Sequence, residues 1–403
     1  MKNLIYIVLV LTVFLCSAQS LEIHQIGRGD GDSALIIAID TNQMGVYDTA
    51  VVLIDAQRSR GAALSVAEYL RDTLTNKFPN RRVIDFVVTS HIHQDHLGGM
   101  IPIMEIFIAN GWRVGNVVDR FALNLVNLDY VGQDVFECYD SVNHQAVRTS
   151  AQQYKQYVDQ LGNRITVQPS NNLFHFKGFQ NISFTCLAAS GVTLNNNQRH
   201  VFLDQLADNR YRVRSENDLS YAWLLAFQGF HYFTGGDIGG GGGGYANGET
   251  PIAAYMNTFF QGHNFHVCAM KVSHHGSAHS TNDLFLQTTN PTLSVVTGNL
   301  RTFGGTALPT FGTLHRLSQN PTELRYAFTV TPANPTVADY SNRARFLGYN
   351  DVVIKIPQAP GFPGQGQGLQ MQVFQRNRNN DQNYSPVNAN PTHEVITCNK
   401  NHQ

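Results

Sequence analysis

The segment His91-Ile-His93-Gln-Asp95-His96 constrains this chain more than any other. It follows closely on an apolar run, Val83 to Val88, which reads as a buried strand entered from a turn at Pro79-Asn80. Three imidazoles and a carboxylate crowded at a strand end are the ligand types a transition metal takes, and this mixture suits zinc. A merely solvated loop has no need of such crowding.

Two further segments carry matching chemistry. Phe233-Thr-Gly-Gly-Asp237 ends an apolar run in a glycine turn with a carboxylate, a fit place for an oxygen that bridges two metals. Met270-Lys-Val-Ser-His274-His275-Gly-Ser277 ends another run in paired imidazoles. Each alone is weak, because Asp in a glycine turn is commonly just a turn residue. Together they predict a convergent site at one sheet edge.

The surrounding pattern predicts an α/β chain. Strand-like runs cover Ser33 to Ile39, Val51 to Ile54, Ile182 to Leu187, Tyr221 to Phe227, His231 to Thr234, His266 to Val272, Leu293 to Val296 and Val352 to Ile356. Helical periodicity covers Ala62 to Phe78, Met100 to Ala109 and Gln152 to Leu161. No internal domain boundary interrupts this alternation. The six glycines from Gly239 to Gly244 read as a flexible surface loop, placed where it could alter access to the site. From Gln375 onward the chain turns Asn/Gln-rich, and residues 377–403 read as a polar tail.

Composition narrows the function classes. A hydrophobic content of 42% supports a sizeable core, and 14% charged residues exclude a charge-rich disordered chain. A net charge of -1 argues against a protein that coats nucleic acid by electrostatics. P-loop, nucleophile-elbow and dinucleotide patterns with proper flanks are absent from the sequence.

Lys2, the apolar run Leu4 to Cys16, and Ser17-Ala18-Gln19-Ser20 have the order of a cleaved signal peptide over residues 1–20. The expected location is therefore secreted or periplasmic. Cys138, Cys186, Cys268 and Cys398 remain beyond it without metal-knuckle spacing. Cys268, within an apolar run, reads as a buried small hydrophobe, with a single disulfide open among the others.

These marks resemble the metallo-β-lactamase superfamily, and more narrowly the hydrolase domain of ComEC-type competence proteins. The resemblance runs from about Leu21 to about Pro357. It rests on Gly29-Asp-Gly-Asp32-Ser33, Leu53-Ile-Asp55-Ala, the His91–His96 motif, Asn217 with Ser220, the Thr234–Asp237 turn, and Lys271 to Ser277. It implies a four-layer αββα sandwich, over residues 21–376, with one or two metals at the sheet edge. Zinc is the expected ion and manganese the alternative.

By the same resemblance, His91 and His93 match ligands of a first metal. Asp95 and His96 match the second, Asp237 the bridge, and His274 or His275 the last histidine, with His274 preferred as nearer the strand end. Asp55 matches the carboxylate that orients the cluster. Asp95 is the expected water-orienting base, and His275 the group that assists the leaving oxygen. Asn217, Ser220, Lys271 and Ser277 are expected to orient substrate.

Three departures stand out. Ala188 occupies the place of the family's third first-metal histidine, with His175 and His200 displaced from it. Gly27 stands where an aspartate is usual, and Gln57 where a glycine is usual.

The expected activity is an exported phosphodiesterase or nuclease using metal-activated water, with phosphodiester or nucleic acid as substrate. The alternatives are a hydrolase of small esters, lactones or phosphocholine-type groups, and a secreted binding protein with a degenerate site. No transmembrane partner is implied, and the sequence does not fix an oligomeric state.

Overall fold

The structure is a computed structural model that describes residues 19–28, 30–58, 60–122, 125–130, 149–259, 266–297, 302–303, 306–319, 325–328, 351–356, 369–376 and 393–398. Residues 1–18 of the expected signal segment, Cys138, and residues 377–392 and 399–403 of the expected tail lie outside these.

Along the chain, the first sheet takes β1 (Ser20–Gln25), β2 (Ala34–Thr41), β3 (Tyr47–Ile54), β4 (Val83–Val88), β5 (Arg113–Val118) and β6 (Arg164–Ile165). The second takes β7 (Ile182–Ala188), β8 (Ala222–Phe227), β9 (Phe230–Thr234), β10 (Ala269–Lys271), β11 (Leu293–Val296) and β12 (Arg325–Phe328). The chain then returns to the first sheet with β13 (Asp351–Ile356), β14 (Leu369–Arg376) and β15 (His393–Cys398). The orders are β15-β14-β13-β1-β2-β3-β4-β5-β6 and β12-β11-β10-β9-β8-β7.

Side-chain alternation along the strands builds the layers. Ile36, Val52, Phe86 and Val88 turn from the first sheet into one buried cluster with Phe184, Trp223, Leu225 and Tyr232 of the second. Their neighbours Leu35, Ile37, Val51, Leu53 and Val87 face the other way. That outer face is covered by α1 (Arg60–Lys77), α2 (Met100–Ala109) and α3 (Thr149–Leu161). On the far side, Leu224, Phe233, Met270 and Val296 pack beneath α4 (Glu249–Phe259), α5 (Asp283–Thr289) and α6 (Phe311–Gln319). The result is helix, sheet, sheet, helix. This is the αββα sandwich that the resemblance implies.

Burial on both faces explains why the central strands read as continuous apolar runs rather than alternating ones. The strands β3, β4 and β5 run parallel, as do β9, β10 and β11. The ends of β3, β4, β9 and β10 therefore open toward one rim, carrying Asp55, His91–His96, Asp237 and His274–His275. Among the described residues no helix is long and apolar enough to cross a membrane.

Three expectations need correction. Residues 393–398, within the expected polar tail, form β15, paired with β14 from Phe374↔His393 to Leu369↔Cys398. The six-residue alternation is short and its flanks polar, so composition hid it. Cys268 is no free hydrophobe: it is disulfide-bonded to Cys398, 130 residues away, which fastens the last strand of one sheet to the other sheet. The glycine tract is no loose loop, since Gly240–Gly242 pairs antiparallel with Tyr245–Asn247 in a hairpin.

Candidate metal centre

The polypeptide around the motif is held from below. After β4, the Ser90 backbone N–H donates to Asp55 Oδ1 at 2.7 Å and the Ser90 hydroxyl to Asp55 Oδ2 at 2.7 Å. Asp55 itself sits at φ 57° at the end of β3, a conformation an L-residue holds only when its surroundings fix it. From the other side comes the turn at Gly31, φ +97°. A Cβ there would fall 1.8 Å from the Asp95 carbonyl, so only glycine lets the two backbones touch. The Asp32 N–H then donates to that carbonyl at 3.1 Å.

Two sets of ligand-type atoms result. His91 Nε2 and His93 Nδ1 lie 3.1 Å apart and form the first. In the second, Asp237 Oδ2 is 3.2 Å from His96 Nε2 and 3.4 Å from His275 Nε2. Asp95 Oδ2 is 3.3 Å from the same His275 nitrogen. Ligand atoms about 2.0–2.1 Å from a tetrahedral zinc stand roughly 3.3 Å from one another, the spacing found here. Asp237 Oδ2 is also 3.9 Å from His91 Nε2, which sets this carboxylate between the two sets.

The donor chemistry fits a divalent metal. His96 Nε2 and His275 Nε2 are buried without a hydrogen bond. Their opposite nitrogens are engaged: His96 Nδ1 is 2.8 Å from Asp55 Oδ2, and His275 Nδ1 is 2.8 Å from the Thr297 carbonyl. An imidazole whose Nδ1 donates to oxygen presents a bare Nε2 lone pair, which is the state a metal ligand needs.

The structure reverses the order expected for the histidine pair. His275 carries the inward nitrogen. His274 Nε2 accepts from the Asn217 amide at 3.0 Å and is 4.0 Å from Asp237 Oδ2, while its Nδ1 is 3.0 Å from the Ser277 hydroxyl. Nearness to the strand end misled, because both residues adopt left-handed backbone angles, φ 48° and 51°. That turn swings the second ring inward and leaves the first at the rim.

Other expected substrate contacts also lie inside. Ser220 is buried and its hydroxyl accepts the Asp237 N–H at 3.3 Å, so it sets the carboxylate-bearing turn. Asn217 is 3% exposed and orients His274. Lys271 is buried at 3% exposure, ion-paired with Asp32 and donating to the Gly236 carbonyl at 2.6 Å. Its ammonium lies 3.5 Å from Asp237 Oδ1. Lys271 therefore holds two carboxylates in place rather than facing substrate.

Asp32 is the residue the sequence hid. It lies on the Nδ1 edges of His275, at 3.4 Å, and His96, at 3.8 Å, away from their bare nitrogens. It thus orients the rings. Its only sequence signal was a carboxylate directly after a glycine turn.

At the departures, Gln57 takes φ 60°, the conformation a glycine would take, and its side chain donates to the Ile26 carbonyl at 2.6 Å. The Gly27 N–H donates to Asp351 Oδ1 at 2.9 Å, so a carboxylate from β13 reaches that turn. Ala188 packs in the outer apolar core with Leu187 and Ala222. His175 is exposed on a short turn of helix, and His200 lies in a hairpin strand opposite Thr193.

Electrostatics demand positive charge at this rim. Burial alone would raise the Asp237 carboxyl, but His96, His275 and Lys271 hold it well below the usual range. Asp95 is likewise held low by His96 and His275 against its burial. Burial would lower His96 and His275, yet Asp237 and its neighbouring carboxylates push both well above an ordinary imidazole. Buried carboxylates that draw protons onto imidazoles are an environment in which a divalent cation is favoured.

A second buried pair supports the centre from beneath. Arg120 and Glu216 form a bidentate ion pair, both almost wholly buried, one residue before the Asn217 that orients His274. Glu216→Ala strands a buried guanidinium and should cost about 3–4 kcal/mol in urea unfolding, with Glu216→Gln costing less. An alanine variant within about 0.5 kcal/mol of the parent, the range of ordinary surface changes, would show the pair to be dispensable.

No protein-family model and no curated protein matches the chain. Among solved structures it is similar to the metallo-β-lactamase fold protein YhfI from Bacillus subtilis, at 12% identity, 76% of this chain, 96% of that one and TM-score 0.37. It is similar to a long-form RNase Z from yeast at 11% identity, 77% of this chain, 41% of that one and TM-score 0.36. A diphosphatase of the PhnP family gives 10% identity, 76% and 94% coverage and TM-score 0.34.

Proposed function

We propose that this chain is an exported metal-dependent hydrolase that cleaves phosphodiesters. The observation that carries the proposal is the set Asp95 Oδ2, His96 Nε2, Asp237 Oδ2 and His275 Nε2, linked by spacings of 3.2 to 3.4 Å beside the His91–His93 pair. Asp95, His96, Asp237 and His275 would hold one ion, and His91, His93 and Asp237 the other. Two adjacent cation positions sharing a carboxylate suit a phosphoryl group, whose attacking and leaving oxygens both need charge stabilisation.

Bound ions would lower the pKa of a water and polarise a phosphoryl oxygen. The chain's own residues prepare the site for that. Asp55 and the Thr297 carbonyl fix the ring tautomers, and Lys271 with Asp32 keeps the cluster from relaxing. Asp95, held ionised, remains an acceptor able to orient a water. His274, at the rim and tied to Asn217, stands where a leaving oxygen would emerge.

Export is part of the proposal. The signal-like N-terminus supports it, and so does the Cys268–Cys398 disulfide, since such bonds persist in oxidising compartments. Recovery of the full-length chain only from the cytosol, with its N-terminus intact, would count against it.

The test is zinc titration of the metal-free protein, followed by hydrolysis of bis-p-nitrophenyl phosphate and of a lactone panel. One tight and one weak ion are expected, because the first set has no third imidazole at Ala188. Turnover of the phosphodiester should exceed that of the lactones. Preference for lactones would establish the small-ester alternative. Failure to bind any ion would favour the degenerate binding protein, the reading that Ala188 supports.

A further inference from the structure

We propose that Tyr245, carried by the glycine hairpin, is the face on which a planar group of the substrate, a nucleobase or an aryl ring, stacks beside the metal centre. The inference rests on the phosphodiesterase assignment and names the substrate class it would take: phosphodiesters with a flat aromatic substituent.

The hairpin is built to stand where it does. The Gly240 N–H donates to the His279 carbonyl at 2.6 Å, and the Ala246 N–H to Asp218 Oδ1 at 3.0 Å. Asp218 directly follows the Asn217 that holds His274. Beneath, Glu249 accepts from the backbone N–H groups of Thr281 at 2.6 Å and Asn282 at 2.8 Å, and Asn282 donates to the Gly240 carbonyl at 3.2 Å. Both ends of the hairpin are thus tied to the rim.

Close approach is what the glycines provide. A Cβ at Gly243, φ +58°, would lie 2.3 Å from the His279 ring, and one at Gly240 would lie 2.4 Å from Glu249 Oε2. Any side chain at either place would lift the hairpin off its seat. Seated, it lays Tyr245 nearly parallel on His279, with centroids 5.3 Å apart at 28°. The same ring meets His274 edge-on, at 5.4 Å and 66°.

Tyr245 therefore stands one ring away from the histidine at the mouth of the centre. Its ring is half-buried, backed by His279 and fixed in angle. A rigid, partly exposed aromatic face beside a cationic site is the arrangement on which bases stack without sequence readout, each worth roughly 1–3 kcal/mol. A purely structural tyrosine would need no glycine run bringing it to the rim.

The experiment compares two p-nitrophenyl phosphodiesters with the metal-loaded full chain, one of thymidine 5′-monophosphate and one of methyl phosphate. Tyr245→Ala should raise KM for the thymidine ester about tenfold, in keeping with the loss of one stacked base, and change the methyl ester less than about twofold. Tyr245→Phe should keep the parental KM for both, because the ring and not the hydroxyl makes the contact. Equal losses on both esters, or a phenylalanine variant as impaired as the alanine one, would overturn the stacking role.

Calorimetry decides the matter independently of turnover. The parent should bind thymidine 5′-monophosphate about tenfold more tightly than methyl phosphate, and Tyr245→Ala should erase that difference without changing metal content. Equal Kd values for the two ligands in the parent would overturn the proposal. A parent that stacks thymidine monophosphate but cleaves neither ester would instead overturn the phosphodiesterase assignment alone.

Discussion

Replacing Asp237 by alanine should abolish metal-dependent hydrolysis, lowering kcat/KM on the order of a thousandfold or more, because even residues one shell beyond a metal typically cost about 10–100-fold. Asp237 Oδ2 is the atom both sets share, at 3.2 and 3.4 Å from His96 and His275 and 3.9 Å from His91. Its loss should therefore empty both positions, which elemental analysis would show as fewer ions per chain. The histidine pair sharpens the test. His275→Ala should release one ion and most of the activity, since its Nε2 faces Asp95 and Asp237. His274→Ala should keep the metal and impair turnover, because its Nε2 is engaged by Asn217. Should His274→Ala lose metal while His275→Ala keeps it, the inward turn of the second ring would be the wrong assignment.

Removing the Cys268–Cys398 bond should cost about 5 kcal/mol, the loop-closure value for a cross-link spanning 130 residues. The bond joins the edge strand β15 to the segment entering β10, so its absence frees the outermost strand of the first sheet. Cys268→Ala/Cys398→Ala avoids leaving a buried thiol that could seek another partner such as Cys186. Urea unfolding of the double variant beside the parent under oxidising conditions measures the effect. A difference under about 1 kcal/mol would mean that β15 is held by its own pairing and that the cross-link adds little.

The sequence by itself determined the ligand types and the strands that bear them. Helix and strand periods repeat the local geometry, so Met100 to Ala109 and Leu293 to Val296 were legible to the residue, and Ile182 to Leu187 to within one. The His91–His96 and Thr234–Asp237 segments were legible because metal ligands in one segment must lie close along the chain. What tertiary structure decided were the choices local sequence leaves equal. Two adjacent histidines look alike until the backbone turns left-handed at both and sends only His275 inward. Lys271 looks solvent-facing until Asp32, 239 positions earlier in a different sheet's turn, pairs with it. Cys268 and Cys398 are unremarkable until the return of the last strand brings their Cα atoms to 5.2 Å. In each case the deciding partner is remote along the chain, and burial makes that partner obligatory: an unpaired charge or donor sealed from water costs more than the fold can spare.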